Sequence, residues 1–380
     1  MAEIKNILIV CGEPSGDILA AKLLAGIQRL AGGVKFCGVG GDQLAKAGAK
    51  IFYDIKDLSV MGLFDVLKKL PRFLKLKKLV LQQIKARKPD CLILVDFSGF
   101  NLRLAKAVNR QLPVIYYVSP QIWASREKRI ELIKRYVSKL VVLFKFEEEF
   151  YRKHGIQADY AGHPLIDSTP ATLNSSAVIQ ELGLDPQKWI IGLLPGSRKQ
   201  EIKLILPLML KTAQLVNRIA PQTQFIIAKS PNLDLKLYQR ICRKFNLNIK
   251  IIEARTLDCL NAAQASLICS GTATLEAAIV GKPFLIIYKA NLLNYLLYRP
   301  QIKIPCIGIV NIMAGQKIIP EFLQFQAQPR KIAGALIDLL KDPLASQTMR
   351  QNLIGIRAAL GEPKAADRAA KFILDYLQNQ

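Results

Sequence analysis

The sequence predicts an α/β protein built from two parallel-sheet domains, and three observations favour this architecture. Short apolar runs rich in Val and Ile alternate with longer helical patterns from end to end, as in successive βαβ units. The composition turns to Ser, Thr, Asn and Pro at 169–176 and divides the chain into two similar halves. Each half opens with an apolar strand that runs into a glycine-containing turn and then a helix. We therefore expect two Rossmann-like domains.

We place the first domain at 1–168. Its strands are expected where apolar, β-branched residues cluster, at 6–11, 34–39, 91–96, 114–118, 140–143 and 158–160. Its clearest helices are expected at 15–30, 100–110, 122–136 and 147–154. Helices that alternate with strands in this way form the crossovers of a parallel sheet.

The second domain is placed at 177–327, with strands expected at 189–194, 224–228, 249–252, 265–269 and 283–288. The tail, 328–380, is helical and rich in Ala and Leu, and Pro363 marks a break between its last two helices. One arrangement open to this tail is packing back on the first domain. If the two domains face each other, the loops at the carboxyl ends of their strands border a common cleft.

The charge balance points to an anionic partner. The chain has 54 Lys and Arg against 29 Asp and Glu, a net charge of +25. The segment 61–90 holds nine of these bases and two acids, and its bases alternate with leucines. On helices this pattern gives an apolar stripe edged by Lys and Arg, which suits a bilayer surface. An ordinary core-facing helix with a solvated basic side is the alternative, whereas nucleic acid is disfavoured because the segment has only two Phe for base stacking.

Several protein classes are disfavoured by what the sequence lacks. The longest apolar runs fall far short of the roughly 18 residues of a membrane-spanning helix, and the amino terminus does not read as a secretory signal. The seven cysteines form no CxxC pair, which favours reduced thiols in the cytoplasm. The dinucleotide-binding GxGxxG and the P-loop patterns are absent, and two histidines without an Asp-x-Asp offer little for a metal. We expect no metal and no cofactor.

The second half carries two candidate phosphate-binding turns. The first is PGSR at 195–198, followed by Glu201, which supplies a small loop, a hydroxyl and a guanidinium at a strand-to-helix junction. This combination suits a diphosphate, although a Gly-Ser turn with an exposed Arg is also common. The second is CSGTATLE at 269–276, where small residues follow a buried strand and Glu276 is placed to accept hydrogen bonds from a ribose diol. A Ser N-cap followed by a first-turn acid is the structural alternative.

The first half carries a candidate general base. Asp96 follows the apolar strand at 91–95, and Asn101 lies five residues later. A carboxylate at the carboxyl end of a buried parallel strand is well placed for proton transfer, although an Asp that caps the next helix fits equally well. Glu13, Ser15 and Asp17 form a second polar cluster after the first strand, which helix capping explains almost as well.

A set of ordered motifs resembles the lipid-A-disaccharide synthase family, whose members are glycosyltransferases with two facing Rossmann-like domains, the GT-B type. The resemblance covers almost the whole chain. The motifs are GEPSGD at 12–17, GVGG at 38–41, VMG at 60–62, VDxxxFN at 95–101, YVSPQIW at 117–123, FE at 146–147, GHP at 162–164, LPGSR at 194–198, SGTATLE at 270–276 and PE at 320–321.

The resemblance implies transfer of 2,3-diacylglucosamine from its UDP donor to the 6-hydroxyl of 2,3-diacylglucosamine 1-phosphate, with inversion and release of UDP. It implies that Asp96 is the base, with Glu13 and Asn101 beside it. It assigns UDP binding to Gly196, Ser197, Arg198, Glu201, Ser270, Gly271, Thr272, Thr274, Glu276 and Asn311, and charge neutralisation there takes the place of a metal. It assigns contacts with the acceptor or the membrane to Ser15, Asp17, Met61, Lys75, Lys77, Lys78 and Trp123.

The expected location is the cytoplasm, with peripheral contact to the inner membrane of a Gram-negative-type bacterium and association of two copies left open. Gly99 and Ser125 depart from the family's usual Asp and Trp, and both lie in the acceptor-side half. A UDP-sugar glycosyltransferase with another lipid acceptor and a UDP-sugar epimerase therefore stay open as alternatives. A basic nucleic-acid or membrane-binding module with a degenerate nucleotide pocket is the alternative outside enzymes.

Overall fold

The computed structural model describes residues 4–58, 63–170, 174–302 and 304–380. The chain divides into two compact units. The first unit comprises 1–167 with 301–303 and 360–380, and the second comprises 168–300 with 304–359. Each unit is an α/β structure around one parallel sheet, as the sequence predicts.

The first unit contains a seven-stranded sheet in which every neighbouring pair is parallel. Its strands are β1 (Asn6–Val10), β2 (Lys35–Gly40), β3 (Lys50–Asp54), β4 (Cys91–Val95), β5 (Val114–Tyr117), β6 (Lys139–Val142) and β7 (Asp159–Tyr160). Their order is β3-β2-β1-β4-β5-β6-β7, so the winding direction reverses between β1 and β4. The edge strand β3 was not predicted, because its apolar run of three half-buried residues, at 51–53, is too short for a clear strand signal.

The helices that precede the second unit are α1 (Pro14–Leu30), α2 (Asp42–Lys46), α3 (Leu63–Arg87), α4 (Ser98–Val108), α5 (Ile130–Tyr136), α6 (Lys145–Lys153) and α7 (Leu165–Ser168). The helix predicted at 122–136 is wrong in its first half, because α5 begins only at Ile130. Arg126 has a φ of 60°, a left-handed backbone conformation that stops an α-helix from forming through it. Trp123 therefore lies in a turn.

The second unit repeats the arrangement with six parallel strands. They are β8 (Ile190–Leu194), β9 (Gln224–Lys229), β10 (Ile249–Glu253), β11 (Ala265–Cys269), β12 (Phe284–Tyr288) and β13 (Glu321–Leu323). The order is β10-β9-β8-β11-β12-β13, so this sheet reverses between β8 and β11. The short edge strand β13 was missed, because three residues are too few for a periodic signal.

The remaining helices are α8 (Ser175–Glu181), α9 (Lys199–Ile219), α10 (Leu235–Cys242), α11 (Thr256–Ala262), α12 (Thr272–Val280), α13 (Leu292–Tyr298), α14 (Ile309–Ala314), α15 (Pro329–Lys341), α16 (Pro343–Ala359) and α17 (Ala365–Gln378). The tail at 328–380 is divided between the two units. Helices α15 and α16 belong to the second unit, and α17 belongs to the first, where it packs on α1. Gly26 permits this packing, because a Cβ there would lie 2.9 Å from the Ala366 carbonyl oxygen.

The central strands form the cores of both units. All residues of β4, β8 and β11 are buried, which is expected where helices cover both faces of a parallel sheet. The seven cysteines are free thiols, and all but the half-buried Cys242 are buried. Among the described residues, no helix combines the length and the apolar character needed to cross a bilayer.

Candidate active site

The sequence-predicted site residues follow the four strands that flank the two reversal points. Glu13, Ser15 and Asp17 follow β1, and Asp96 follows β4. In the second unit, Arg198 follows β8 and the turn at 270–272 follows β11. Ligands of open parallel sheets bind beyond the carboxyl ends of the strands at such reversal points. Each unit therefore presents its polar residues where its fold offers a binding site.

Asp96 lies in a strained turn. Asp96 and Phe97 both have a φ of 48°, a left-handed conformation that non-glycine residues adopt at a cost of about 1–3 kcal/mol each. The Asp96 carbonyl oxygen accepts hydrogen bonds from the Asn101 amide at 2.8 Å and from the Tyr116 hydroxyl at 2.7 Å. Burial raises the pKa of Tyr116 well above its ordinary value, so its hydroxyl remains a donor. These two buried donors hold the turn that presents the Asp96 carboxylate.

Aromatic packing supports the same turn. The Phe97 ring lies over Gly12, where any Cβ would clash with the ring. Phe97 also stacks on Phe100, and Phe73 of α3 contacts both rings with centroid separations of 6.0 and 6.2 Å. The end of β1, the end of β4 and helix α3 therefore meet at Phe97. Sequence reasoning missed this role, although the glycine at position 12 was part of a quoted motif.

The start of α1 lies beside Asp96. A Cβ on Gly16 would be 3.9 Å from the Asp96 Cβ, an ordinary contact distance, so the first turn of α1 packs directly beside Asp96. Glu13 occupies the N-cap position with a half-buried side chain, and Ser15 in the first turn is exposed. The positive end of a 17-residue helix dipole is thus directed towards the region of the carboxylate.

Two of the predicted site residues, Asn101 and Asp17, are buried and bonded to backbone. Asn101, predicted to be catalytic, is fully buried, and its amide donates to the carbonyl oxygens of Val95 and Asp96, so it positions the turn. Asp17 is 3% exposed, and its carboxylate accepts hydrogen bonds from the backbone N–H groups of Gly41 and Gln43 at 2.7 and 2.9 Å. These bonds tie Asp17 to the start of α2, and its assignment to the acceptor or membrane surface stays a prediction.

Trp123 is held by a buried carboxylate. The Trp123 indole N–H donates to Glu147 Oε1 at 3.1 Å, and the Ser119 hydroxyl donates to the same oxygen at 2.9 Å. The Trp123 ring packs edge-on against Phe146. Burial raises the pKa of the Glu147 carboxyl to about 7, although its hydrogen bonds oppose that shift. Glu147 was part of a quoted motif without a role, and its contact with Trp123 supplies one.

In the second unit, the turn at 195–198 is organised by Glu201. The Glu201 carboxylate accepts hydrogen bonds from the backbone N–H groups of Ser197 and Arg198 at 3.0 and 3.1 Å, and from the Arg198 guanidinium at 3.3 Å. Gly196 has a φ of 107°, which a side chain would strain. Since a second anion on these N–H groups would be repelled, Glu201 orients Arg198 and does not itself bind a diphosphate. Ser197 and Arg198 are exposed.

The turn after β11 offers backbone donors. Helix α12 begins at Thr272 directly after Gly271, so its first N–H groups lack partners within the helix. Gly271 and Thr272 are exposed, whereas Thr274 is buried and its hydroxyl donates to the Gly271 carbonyl oxygen at 2.7 Å. Thr274 therefore shapes the turn, and its assignment to UDP stays a prediction. The Ser270 hydroxyl donates to the Ile307 carbonyl oxygen at 3.4 Å, which links this turn to the start of α14.

Glu276 is the acid of α12. Its side chain is half-buried and has no hydrogen-bond partner in the part of the chain that the structure describes. Burial raises the pKa of its carboxyl. A partly buried carboxylate without a protein donor beside a phosphate-binding turn fits a ligand that brings hydroxyl donors.

Asn311 is buried in a hydrogen-bond network. It is 1% exposed, its amide donates to the Ile319 carbonyl oxygen and to Glu321 Oε1, and its own oxygen accepts from the Ile319 N–H. Glu321 accepts hydrogen bonds from the backbone N–H groups of Ile307 and Gly308 at 3.0 and 2.9 Å. Asn311 and Glu321 therefore hold the 307–308 segment, whose Ile307 carbonyl oxygen accepts from the Ser270 hydroxyl. The assignment of Asn311 to the uridine stays a prediction.

The basic segment forms much of α3. Lys75, Lys78 and Leu74 are exposed, and Lys77 is half-buried. Leu76 and Val80 are buried on the opposite side, so the helix is anchored to the unit by its other face. Met61 lies outside the described residues. Within the part that is described, no cluster of three or more His, Cys, Asp or Glu side chains could hold a metal ion.

Two parallel sheets with the same reversal, one followed by a carboxylate and the other by an arginine and a helix start, give the chain the two-domain fold of the GT-B type. Solved structures share this fold at low sequence identity. The chain aligns with a UDP-GlcNAc 2-epimerase from Neisseria meningitidis with a TM-score of 0.63 and 15% identity, covering 99% of this chain and 100% of the other. It aligns with the calicheamicin glycosyltransferase with a TM-score of 0.63 and 14% identity, covering 99% of each chain.

The chain belongs to the lipid-A-disaccharide synthase family. The family model described as lipid-A-disaccharide synthetase matches residues 7–374. The lipid-A-disaccharide synthase of Syntrophus aciditrophicus is 37% identical over 376 residues, which cover 98% of both chains. That of Anaeromyxobacter sp. strain K is 38% identical over 375 residues, again covering 98% of both. The protein is therefore a hexosyltransferase.

Proposed function

We propose that this chain transfers 2,3-diacylglucosamine from UDP-2,3-diacylglucosamine to the 6-hydroxyl of 2,3-diacylglucosamine 1-phosphate, forming the β-1,6 lipid A disaccharide 1-phosphate and UDP. The observation that carries this proposal is the family match along 7–374, which includes both reversal-point sites. The position of Asp96 in a strained and doubly hydrogen-bonded turn supports a chemical role for its carboxylate.

Asp96 is the proposed base. Its carboxylate takes the proton of the acceptor 6-hydroxyl while that oxygen attacks the anomeric carbon of the donor sugar. The new carbon–oxygen bond forms as the bond from the anomeric carbon to the UDP oxygen breaks, so the configuration inverts and UDP leaves with the electron pair. Asn101 and Tyr116 contribute by holding the turn, since both donate to the Asp96 carbonyl oxygen. Glu13 at the start of α1 is the nearby acid proposed to contact the acceptor.

Arg198 and the turn at 270–272 are the proposed leaving-group site. Negative charge grows on the diphosphate as the glycosidic bond breaks, and preorganised donors stabilise that charge most strongly in the transition state. Arg198 is exposed and oriented by Glu201, while Gly271 and Thr272 supply N–H groups at the start of α12. Glu276 is proposed to accept hydrogen bonds from the ribose hydroxyls, which would supply the donors its carboxylate lacks.

The exposed side of α3 is proposed to contact the inner membrane at its cytoplasmic face. Leu74 is 54% exposed and is flanked by the exposed lysines Lys75 and Lys78. Apolar residues edged by cations suit a bilayer that contains anionic lipids. Both proposed substrates carry acyl chains, so an enzyme that uses them must reach a membrane surface.

The decisive experiment supplies the purified protein with both acylated substrates in detergent and detects the products by mass spectrometry. Disaccharide and UDP in equal amounts are expected. UDP binding without disaccharide would contradict the acceptor assignment and favour another lipid acceptor, as Gly99 and Ser125 allow. Conversion of a soluble UDP-sugar without any acceptor would instead identify an epimerase.

A further inference from the structure

Helix α13 of the second unit exposes an unusual amount of apolar surface. Leu292, Leu293 and Leu296 are 51%, 48% and 58% exposed, and Leu297 is 40% exposed. Single exposed leucines are common on protein surfaces and need no explanation, but a contiguous group marks a contact site. No other helix for which side-chain exposure is described here carries four such leucines in six positions.

The leucines share one side of the helix. Positions 292 and 296, like 293 and 297, are four residues apart and lie one turn above each other. Phe325, which is 66% exposed, extends the surface beyond the helix, because its ring packs edge-on against the Tyr295 ring at 5.9 Å. The resulting apolar surface comprises Leu292, Leu293, Leu296, Leu297 and Phe325, and we refer to it as the α13 surface.

The charges in the segment that carries α13 have one sign. The segment 288–304 contains Lys289, Arg299 and Lys303 and no acidic residue. Lys289 precedes the helix and Arg299 directly follows it, so a cation lies at each end of the leucine group. Leucines bounded by cations match a bilayer with anionic headgroups, whereas a protein partner would have to present an acidic rim around an apolar centre.

The α13 surface is close to the proposed donor site within the same unit. Helix α13 begins four residues after Tyr288, the last residue of β12, and β12 pairs with β11, which leads into the turn at 270–272. Burial raises the pKa of the Tyr288 hydroxyl, and both Glu201 and Arg198 act on it electrostatically. Helix α13 therefore follows the same carboxyl edge of the sheet as the turn proposed to bind UDP.

We propose that the α13 surface is a second lipid-contact surface, which seats the donor-binding unit on a bilayer containing anionic lipids. This inference rests on the proposed function in one respect, since lipid substrates are the reason for the donor unit to approach a membrane. It adds to the α3 surface of the first unit, because it gives the second unit a membrane contact of its own.

An environment-sensitive label tests the contact while the other three leucines of the α13 surface stay in place. Leu296→Cys in the full chain is labelled with the fluorophore NBD, and Leu344→Cys on α16, at a position 71% exposed in the same unit, is the matched control. Six of the seven native cysteines are buried, and unsubstituted protein carried through the same labelling corrects for Cys242. With vesicles of phosphatidylcholine and phosphatidylglycerol at about 3:1, we expect a blue shift and brightening at position 296 alone. Equal spectra at both positions would overturn the proposal.

A triple variant measures how much the leucines of the α13 surface contribute to vesicle binding. Leu292→Ser, Leu293→Ser and Leu296→Ser together are expected to weaken vesicle partitioning by about tenfold or more, because the apolar area that enters the bilayer is lost. The control replaces Ile219, Leu344 and Ile354 by Ser, three residues of the same unit that are at least 57% exposed. Partitioning of the leucine variant within about twofold of the control, with both variants folded by circular dichroism, would overturn the proposal.

Two outcomes separate this inference from the proposed function. If the protein forms disaccharide in detergent but the leucine variant binds vesicles as well as its control, the proposed function stands and the inference is refuted. Vesicle binding that depends on the α13 surface without any disaccharide would support the inference and refute the function. If the leucine variant changes the sedimentation coefficient from that of a dimer to that of a monomer and leaves partitioning unchanged, the surface joins two copies of the chain and the inference is refuted.

Discussion

The Tyr116 hydroxyl donates a hydrogen bond of 2.7 Å to the Asp96 carbonyl oxygen, from the neighbouring strand to the turn that carries the proposed base. Tyr117, the next residue, is equally buried, but its hydroxyl has no hydrogen-bond partner in the described structure. One tyrosine therefore supports the strained backbone of Asp96 and the other does not.

Tyr116 and Tyr117 offer a matched test of whether the Tyr116 hydrogen bond positions Asp96. Tyr116→Phe is expected to lower kcat by about tenfold and the free energy of unfolding by about 1 kcal/mol, because it removes a buried hydrogen bond. Tyr117→Phe is expected to leave both unchanged or to stabilise slightly, since it removes an unsatisfied hydroxyl. Steady-state kinetics and urea unfolding check both variants. Equal kcat values for the two would show that the Tyr116 bond does not position Asp96.

Asp96→Asn tests the base directly. The amide has nearly the same shape but cannot accept a proton, so turnover is expected to fall by roughly 10²- to 10⁴-fold. UDP affinity, measured by isothermal titration calorimetry, is expected to stay unchanged because Asp96 and the proposed UDP site belong to different units. Turnover close to that of the wild type would remove Asp96 from this role.

Arg198→Ala tests the leaving-group site. Both UDP affinity and turnover are expected to fall by at least about tenfold, because the guanidinium is the cation proposed to face the diphosphate. Lys199→Ala is the control, since it removes an exposed cation one residue further along the same helix start. Calorimetry with UDP distinguishes them. Equal affinities in the two variants would contradict the assignment to Arg198.

Glu147 makes stability depend on pH. Its pKa rises from an ordinary value of 4.5 to about 7, so between these values the folded chain binds more protons than the unfolded chain. The free energy of unfolding contributed by this group therefore falls as the pH rises through that window. Glu147→Gln removes this titration. As the pH rises through the window, the free energy of unfolding of the variant minus that of the wild type is therefore expected to increase by up to about 1.4 kcal/mol per pH unit.

Urea unfolding at about pH 5, 6 and 7.5 measures this difference. Burial lowers the pKa of His163 to about 3, so below about pH 6.5 this residue makes the free energy of unfolding rise with pH. His163 is present in both proteins, so its contribution cancels in the difference between them. A difference between variant and wild type that stays constant across the series would mean that Glu147 ionises normally. The Trp123 indole fluorescence reports whether the Gln side chain still holds the ring.

The α3 surface is tested by charge reversal. Replacing Lys75, Lys77 and Lys78 by Glu is expected to weaken binding to anionic vesicles by about tenfold or more and to spare activity in detergent. The control reverses three exposed cations of the second unit, Lys211, Lys236 and Arg240, with the same change in net charge. Flotation of both variants with the vesicles gives the comparison. Equal losses in both would show that only net charge matters, and equal loss of detergent activity would indicate misfolding.

Much of the fold followed from local patterns. The runs at 91–95 and 190–194 are apolar at every position, and this signals central parallel strands because both of their faces are covered. The edge strands β3 and β13 were not predicted, because their short and partly buried segments do not give a long apolar run. The helix expected at 122–136 failed at Arg126, since periodicity carries no information about a single left-handed residue.

The candidate site was predictable in location but not in detail. Polar residues after β1, β4, β8 and β11 had to lie at the carboxyl edges of their sheets, because parallel strands end on the same side. Whether each side chain faced a ligand or the protein was not encoded locally. Asp17, Asn101 and Asn311 carry the polar groups expected of a binding site, yet all three are at most 3% exposed and form hydrogen bonds with backbone groups.

The sequence by itself determined the α/β class, the two-part organisation, the family and the positions where chemistry is concentrated, because hydrophobic periodicity and short motifs are local properties. Tertiary structure alone decided that Tyr116 holds the turn of Asp96 and that α13 leaves its leucines exposed. These relationships depend on which strands lie side by side and which helix faces are covered. A hydrogen bond between residues 20 or more positions apart exists only once the sheet has placed them together.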